Sequence, residues 1–349
     1  MPINYEPIDP TTDVATTRTL LHEVIPLTGT IVSGTYGTFP NDENIKNYSH
    51  GMFQSVYDYP YLSSSANHIF DLTAGYDETS PLSSSTGATL RSKKINMYNQ
   101  FSQVLLGYTG STNEVRKFES DLTLDGTGAM KEVMFVNLSR LLTKDEVKKG
   151  SVSITLGTGS WASGSNSDEA LTFNDSAASE TQGTLSTVGG DYGLLLSTTT
   201  NLTGGIVFYQ AGVVVLSGSI WSDTTDFYSA SAGTSSFDEQ LVSGSISGSS
   251  DAFRHRMQNL QFNNTTEINS TVYFCRMPHN KYNYSTNPTY LSGGQVRVKN
   301  GNRQNSPISY VTTIGLYNSQ NELLAVAKLS EPLRKDPTNE LTLRVRLDY

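Results

Sequence analysis

The C-terminal hundred residues carry the clearest alternation of apolar and polar positions in the chain. From 341 to 349, the residues Leu, Leu, Val, Leu and Tyr alternate with Thr, Arg, Arg and Asp. Such alternation places all the apolar side chains on one face of a strand, so a slip by one residue would expose the whole row. The same reasoning predicts strands at 271–277, 295–299, 311–317, 322–329 and 341–349, with residues 318–321 as a hairpin loop.

Helical spacing of apolar residues is rarer. It predicts a helix at 93–106, which Gly107 ends. Residues 143–146 match a capping box, the pattern that opens many helices, and predict a short helix ending at Gly150. A third short helix is predicted at 250–261.

The middle of the chain, residues 157–249, is dominated by Ser, Gly and Thr. Short apolar runs at 192–196, 205–209 and 213–216 interrupt it, and residues 210–212 predict a hairpin turn between the last two runs. We interpret this segment as a small β-subdomain inserted into a core domain. That core would comprise residues 92–156, with strands at 132–138 and 152–156, together with residues 250–349.

Residues 1–91 contain seven prolines and aromatic residues that follow no single period. They predict an extended N-terminal arm that wraps over neighbouring domains or subunits. The expected fold class is therefore mainly β: an antiparallel β-sandwich-like core with a few short helices, an extended N-terminal arm and the inserted subdomain.

Composition narrows the classes of partner. The net charge of −9 argues against a nucleic-acid partner, which would require a basic face. No apolar run is long enough for a membrane span, and the first residues lack the features of a secretory signal. We expect assembly in a cytoplasm. The 19 tyrosines favour protein interfaces, where a rigid ring with a polar tip contributes contact area at low entropic cost.

The residue patterns that carry chemistry are missing. The five histidines are scattered without metal-ligand spacing, and the single cysteine, Cys275, lies in an apolar strand pattern typical of inert packing. Residues 121–125 only faintly resemble a calcium loop, and a solvated turn is the simpler interpretation. We therefore predict no catalytic, cofactor-binding or metal-binding residues and no enzyme activity. A hydrolase remains an alternative, since its two carboxylates can lie far apart in sequence.

A binding module is the second alternative. In that hypothesis the segment 157–249 contacts a host surface glycan or another fibre. Aromatic residues would then act as anchors through stacking and amphipathic contact. The candidate partner contacts are Trp161, Tyr209, Trp221 and Tyr228.

Three segments of the C-terminal half resemble virion structural proteins of tailed bacteriophages, particularly contractile-tailed, cyanophage-like phages of aquatic hosts. The segments are 259–276 (NLQFNNTTEINSTVYFCR), 287–292 (NPTYLS) and 314–332, with IGLY at its start and NELLAVAKLSEP at its end. Residues 131–150 are also similar. The resemblance implies a structural subunit of the virion, associated with the tail or baseplate, whose partners are other virion proteins and copies of itself. A position at the neck or capsid surface is the alternative, and the family supplies no catalytic residues.

Overall fold

A computed structural model describes residues 5–27, 42–85, 87–110, 112–159, 169–180, 182–200, 202–222, 226–227, 236–284, 288–293, 295–296 and 306–349. The strands are β1 (Val14–Pro26), β2 (Ile45–Asn47), β3 (Gln54–Tyr57), β4 (His68–Tyr76), β5 (Glu132–Leu138), β6 (Glu146–Val147), β7 (Ser153–Gly157), β8 (Ala170–Asn174), β9 (Thr184–Thr187), β10 (Gly190–Ser197), β11 (Thr203–Phe208), β12 (Val213–Ser217), β13 (Met257–Met277), β14 (Leu291–Ser292), β15 (Gln295–Val296), β16 (Ser309–Tyr317), β17 (Leu323–Lys335) and β18 (Leu341–Asp348). The helices are α1 (Ala88–Leu105), α2 (Arg140–Thr143), α3 (Phe237–Ser243) and α4 (Ile246–Arg256), with short 3-10 turns between some elements.

The predicted mainly β class, with antiparallel strands and few short helices, is confirmed. The chain divides into two compact units. Unit 1 comprises Met1–Leu20 and Glu267–Tyr349, and unit 2 comprises Leu21–Thr266.

Unit 2 is built on one antiparallel sheet. Its strands follow the spatial order β7, β8, β10, β11, β12, β5, β4, β3 and β2, with β9 beside β10. The central strands alternate between two hydrophobic clusters, one on each face of the sheet. In β5, for example, Val133 and Phe135 join one cluster while Met134 and Val136 join the other. These strands are therefore buried on both faces, which explains their nearly continuous apolar sequence.

Different elements cover the two faces. One cluster includes Tyr98 and Leu105 of α1, together with Phe118 from the segment that follows that helix. The other includes Phe237 of α3 and Phe253 of α4. Each face thus acquires a hydrophobic layer of its own, which gives the sandwich-like core its thickness.

The β structure of unit 1 is more exposed than the central sheet of unit 2. The second part of β13 pairs with β18 in the register Tyr273 opposite Val345, and β1 also lies next to β13. Strands β16 and β17 form a separate two-stranded hairpin. The predicted alternation of the last strand is confirmed. Within β18 the apolar positions are less exposed than their neighbours, and Val345 is the one that is buried. Tyr349, predicted for the same face, is 74% exposed.

The predicted domain boundaries need correction. Residues 42–91 are not an arm, because β3 and β4 are hydrogen-bonded into the central sheet beside β5. Nor are residues 157–249 an inserted subdomain: β8 pairs with β7, and β12 pairs with β5. The Gly content of this segment has a packing cause. At Gly193 the hydroxyl of Tyr209 occupies the space of a side chain, and at Gly204 the ring of Phe173 does so.

Two predicted helices also differ from the structure. Residues 143–146 do not open a helix. Lys144 has a left-handed backbone with a φ of 58°, and Glu146 begins the short strand β6, which pairs with β13. The helix predicted at 250–261 ends at Arg256, where the chain continues directly as β13. In both places pairing with distant strands overrides the local helical pattern.

Candidate interaction surface

The hairpin formed by β16 and β17 is an exposed part of unit 1. Asn318–Glu322 turns the chain at its tip, where Asn318 N donates to Glu322 O at 3.0 Å and Asn321 adopts a φ of 66°. This confirms the predicted hairpin loop. Both strands carry apolar side chains that face solvent, although a sheet of only two strands is marginally stable in water.

We call the exposed apolar side chains of this hairpin the hairpin surface. Leu324 is 68% exposed and Tyr310 is 64% exposed. The full set is Tyr310, Tyr317, Leu323, Leu324 and Val326. Tyr317 also packs against Tyr5, with ring centroids 5.0 Å apart. Exposed apolar side chains of this kind are candidates for contact with another molecule.

The base of the hairpin is held firmly. The side chain of Lys335 is fully buried, and its Nζ donates to Asn283 Oδ1 at 2.7 Å and to Asp336 O at 2.9 Å. On the β16 side of the base, Ser309 Oγ donates to Tyr282 O. The hairpin therefore projects from a fixed base.

Of the four predicted partner contacts, the two that the structure describes, Tyr209 and Trp221, lie in the core. Tyr209 is 0% exposed, and its hydroxyl donates to Asp175 Oδ2 at 2.9 Å. Trp221 is 1% exposed, and its Nε1 donates to Gly157 O at 3.0 Å. The prediction is thus wrong for these two residues. Glycines in this segment have no side chain and leave space in the core, and the aromatic rings fill that space. Trp161 and Tyr228 lie outside the described residues.

Two buried cations have roles that the sequence did not indicate. Lys94 of α1 is fully buried and donates to the carbonyls of Leu241 and Gly244 at the end of α3. Its burial lowers the pKa of the amine to about 8. Arg256 is also fully buried, and burial lowers its pKa to about 10.

The guanidinium of Arg256 donates to four carbonyls, those of Gly157, Gly159, Asp226 and Phe227, at 2.7 to 2.9 Å. These contacts fix the chain where β7 ends. A basic residue on a helix normally indicates a solvated charge, so no local pattern could have identified either role.

In the acidic turn at 119–127, the carboxylates accept hydrogen bonds from residues of the same turn. Asp121 and Asp125 each accept from the backbone and hydroxyl of a threonine two residues later. Glu119 accepts from the backbone N–H groups of Asp125 and Gly126 at 3.1 Å. Across the described ranges, no group of three or more His, Cys, Asp or Glu side chains is arranged to hold a metal ion.

Cys275 is half-buried, and burial is the main cause that raises the pKa of its thiol. A raised pKa makes the thiolate scarce at neutral pH and so makes the cysteine a poor nucleophile.

Unit 2 contains a cavity of about 650 Å³ between the start of β5 and the start of α3. Its two carboxyl groups are Glu132, which accepts from Ser80 Oγ at 2.5 Å, and Asp238, whose pKa is raised by burial. The described residues that line it include no aromatic ring, histidine or cysteine. The cavity therefore lacks the stacking platform that usually binds a sugar.

Comparison with protein-family models, with curated protein sequences and with solved structures finds no match to this chain. In the part of the chain that the structure describes, no helix is both long and apolar enough to cross a membrane.

Proposed function

We propose that this chain is a non-enzymatic structural subunit that acts through stable contacts with other protein chains. The hairpin surface is the observation that carries the proposal. A projecting ribbon of two strands with exposed Tyr310, Leu324 and Val326 gains little from folding alone. It gains much more when a neighbouring chain covers it, because burial of each large apolar side chain contributes roughly 1.5–3 kcal/mol.

A virion of a tailed bacteriophage is the assembly that we propose, with the tail or baseplate as the position of the subunit. The similarity of residues 259–276 and 314–332 to phage structural proteins supports this assignment. The chain would be made and assembled in the host cytoplasm and would reside in the virion. Its partners would be other virion proteins and copies of itself.

Two other roles receive less support. Of the aromatic anchors proposed for a host-glycan or fibre-binding module, the two that the structure describes, Tyr209 and Trp221, are buried in the core. For a hydrolase, the cavity beside Glu132 and Asp238 offers carboxyl groups but no sugar platform among its described lining. Neither role is carried by a specific observation.

The test is a complementation experiment with a surface variant. Leu324→Lys combined with Val326→Lys changes only exposed positions of the hairpin, so the fold should persist. Leu141→Lys combined with Val188→Lys is the matched control, since both residues are 78% exposed in unit 2. We expect the hairpin variant to be excluded from particles and the control variant to be incorporated. Normal particles containing the hairpin variant would contradict the proposal.

A further inference from the structure

The two outer edges of the hairpin differ in how they are protected. Open edges of β-sheets invite pairing with other chains, and natural proteins block them with charges, prolines and bulges. Strand β17 has all three. Lys328 and Glu331 are exposed charges, and Pro332 has no N–H to donate.

The bulge in β17 is large. Val311 of β16 lies opposite Leu333, and Thr313 lies opposite Lys328. Residues 329–332 therefore have no partner in β16 and interrupt the regular spacing of backbone groups along this strand. A second chain could not pair with β17 over more than a few residues.

Strand β16 lacks the charges and the proline, although its pairing with β17 is also irregular at Thr312. Its nine residues, SYVTTIGLY, include no charge and no proline, and they are rich in β-branched and aromatic side chains. Among the described residues, no strand other than β17 pairs with it. Short uncharged segments of this composition are the ones that pair most readily with other strands.

We infer that the outer edge of β16 pairs antiparallel with β16 of a second copy of this chain. This inference rests on the proposed function and names the partner at the hairpin. A strand without charges meets its own copy without like-charge repulsion, whereas β17 carries Lys328, Glu331 and Pro332 along the edge that would have to pair. Pairing about a two-fold axis joins two ribbons into a sheet of four strands, which exceeds the three needed for independent stability.

The geometry predicts which substitutions disrupt the pair. Thr312 is exposed and lies next to the middle of β16. In a two-fold antiparallel pair, the two copies of a residue near the middle come within reach of each other. Lysine at position 312 on both copies would therefore repel, as would glutamate on both copies, whereas lysine on one copy and glutamate on the other would attract.

The experiment measures self-association of the full chain by sedimentation velocity. We expect the unmodified chain to form dimers or larger even-numbered species. Thr312→Lys and Thr312→Glu should each raise the dissociation constant at least about tenfold, and an equimolar mixture of the two variants should restore association. Ser330→Lys, an exposed position in the bulge of β17, is the control and should leave association unchanged.

Two results would overturn the inference. One is an unmodified chain that stays monomeric, and the other is a chain with Thr312→Lys or Thr312→Glu that, by itself, associates as well as the unmodified chain. If the unmodified chain is monomeric but Thr312→Lys is excluded from particles, a different protein occupies the edge of β16. The homotypic inference would then fail while the proposed structural role would stand. Normal incorporation of Thr312→Lys into particles would show that the edge of β16 makes no contact that assembly requires.

Discussion

Tyr209 Oη donates a hydrogen bond of 2.9 Å to Asp175 Oδ2 in the interior of unit 2. The same carboxylate accepts from the backbone N–H groups of Gly150 and Val152, both at 2.8 Å. Burial nevertheless raises the pKa of Asp175 above its usual value, because desolvation outweighs these hydrogen bonds. Tyr209 is therefore a structural partner of a buried acid: it links the end of β11 to Asp175 after β8 and, through that carboxylate, to the loop that enters β7.

Tyr209→Phe removes one of the three hydrogen bonds to this carboxylate without creating a large cavity. We expect it to lower the free energy of unfolding by about 1.5–3 kcal/mol, as measured by urea denaturation at neutral pH. Tyr192→Phe is the control, since its hydroxyl donates only to uncharged carbonyls at 3.3 Å and should matter less. Equal losses in the two variants would show that Asp175 does not depend on Tyr209.

The buried amine of Lys94 predicts a specific pH dependence. Its pKa is about 8 in the folded chain and 10.5 in the unfolded chain. Between these values the folded chain binds fewer protons than the unfolded chain, so the Lys94 contribution to stability becomes more favourable as the pH rises. The change across this window is about 3 kcal/mol.

Lys94→Met removes this titration and isolates it from that of the other groups. We expect the stability of the unmodified chain, relative to the variant, to increase by about 3 kcal/mol between pH 8 and pH 10.5 in denaturation experiments. A difference that stays constant over this range would show that Lys94 has an ordinary pKa and is not desolvated.

Gly75 lets β4 and α1 approach each other closely. A Cβ at this position would lie 2.8 Å from Lys94 O and 2.9 Å from Tyr98 N, and these backbone atoms cannot move without displacing the helix. We expect Gly75→Ala to lower the free energy of unfolding by roughly 1–3 kcal/mol. Gly110→Ala, where a Cβ meets open space, should change it little. Similar values for both variants would contradict the close packing of α1.

Lys335 anchors the base of the hairpin, so its loss should affect the hairpin more than the rest of unit 1. We expect Lys335→Met to accelerate proteolysis and amide exchange within 309–335 while β13 and β18 keep their protection. Lys328→Met is the control on the same strand, because Lys328 is exposed. If both variants leave exchange in the hairpin unchanged, Lys335 does not hold its base.

Much of the strand structure was predictable, because the central strands and the C-terminal strands have strong periodic patterns. The predicted strand at 132–138 coincides with β5, and the predicted turn at 210–212 joins β11 to β12, with Gly212 at a φ of 68°. These features depend on neighbouring residues along the chain, so a short stretch of sequence contains the information that specifies them.

The errors arise where distant segments decide the outcome. The Ser- and Gly-rich composition of 157–249 indicated an inserted subdomain, although Gly193 and Gly204 make room for Tyr209 and Phe173 in the core. The roles of Lys94 and Arg256 could not be predicted for the same reason, since their partners are carbonyls far along the chain. The aromatic candidates failed as contacts because a ring that suits an interface suits a core equally well.

The hairpin has one feature that the sequence predicts and one that it does not. Its strands and loop were predictable from alternation, but their exposure was not, because the same pattern would suit a strand packed on a core. Only the structure shows that Tyr310 and Leu324 face solvent on a two-stranded ribbon. The proposed role in an assembly depends on that exposure.

A density map of the intact particle tests this role most directly. The account predicts that the chain occupies a regular, repeated position and that a neighbouring chain covers the hairpin surface, with a strand beside the outer edge of β16. Purified particles without this chain, or a map in which Tyr310, Leu324 and Val326 face open solvent in every copy, would contradict it.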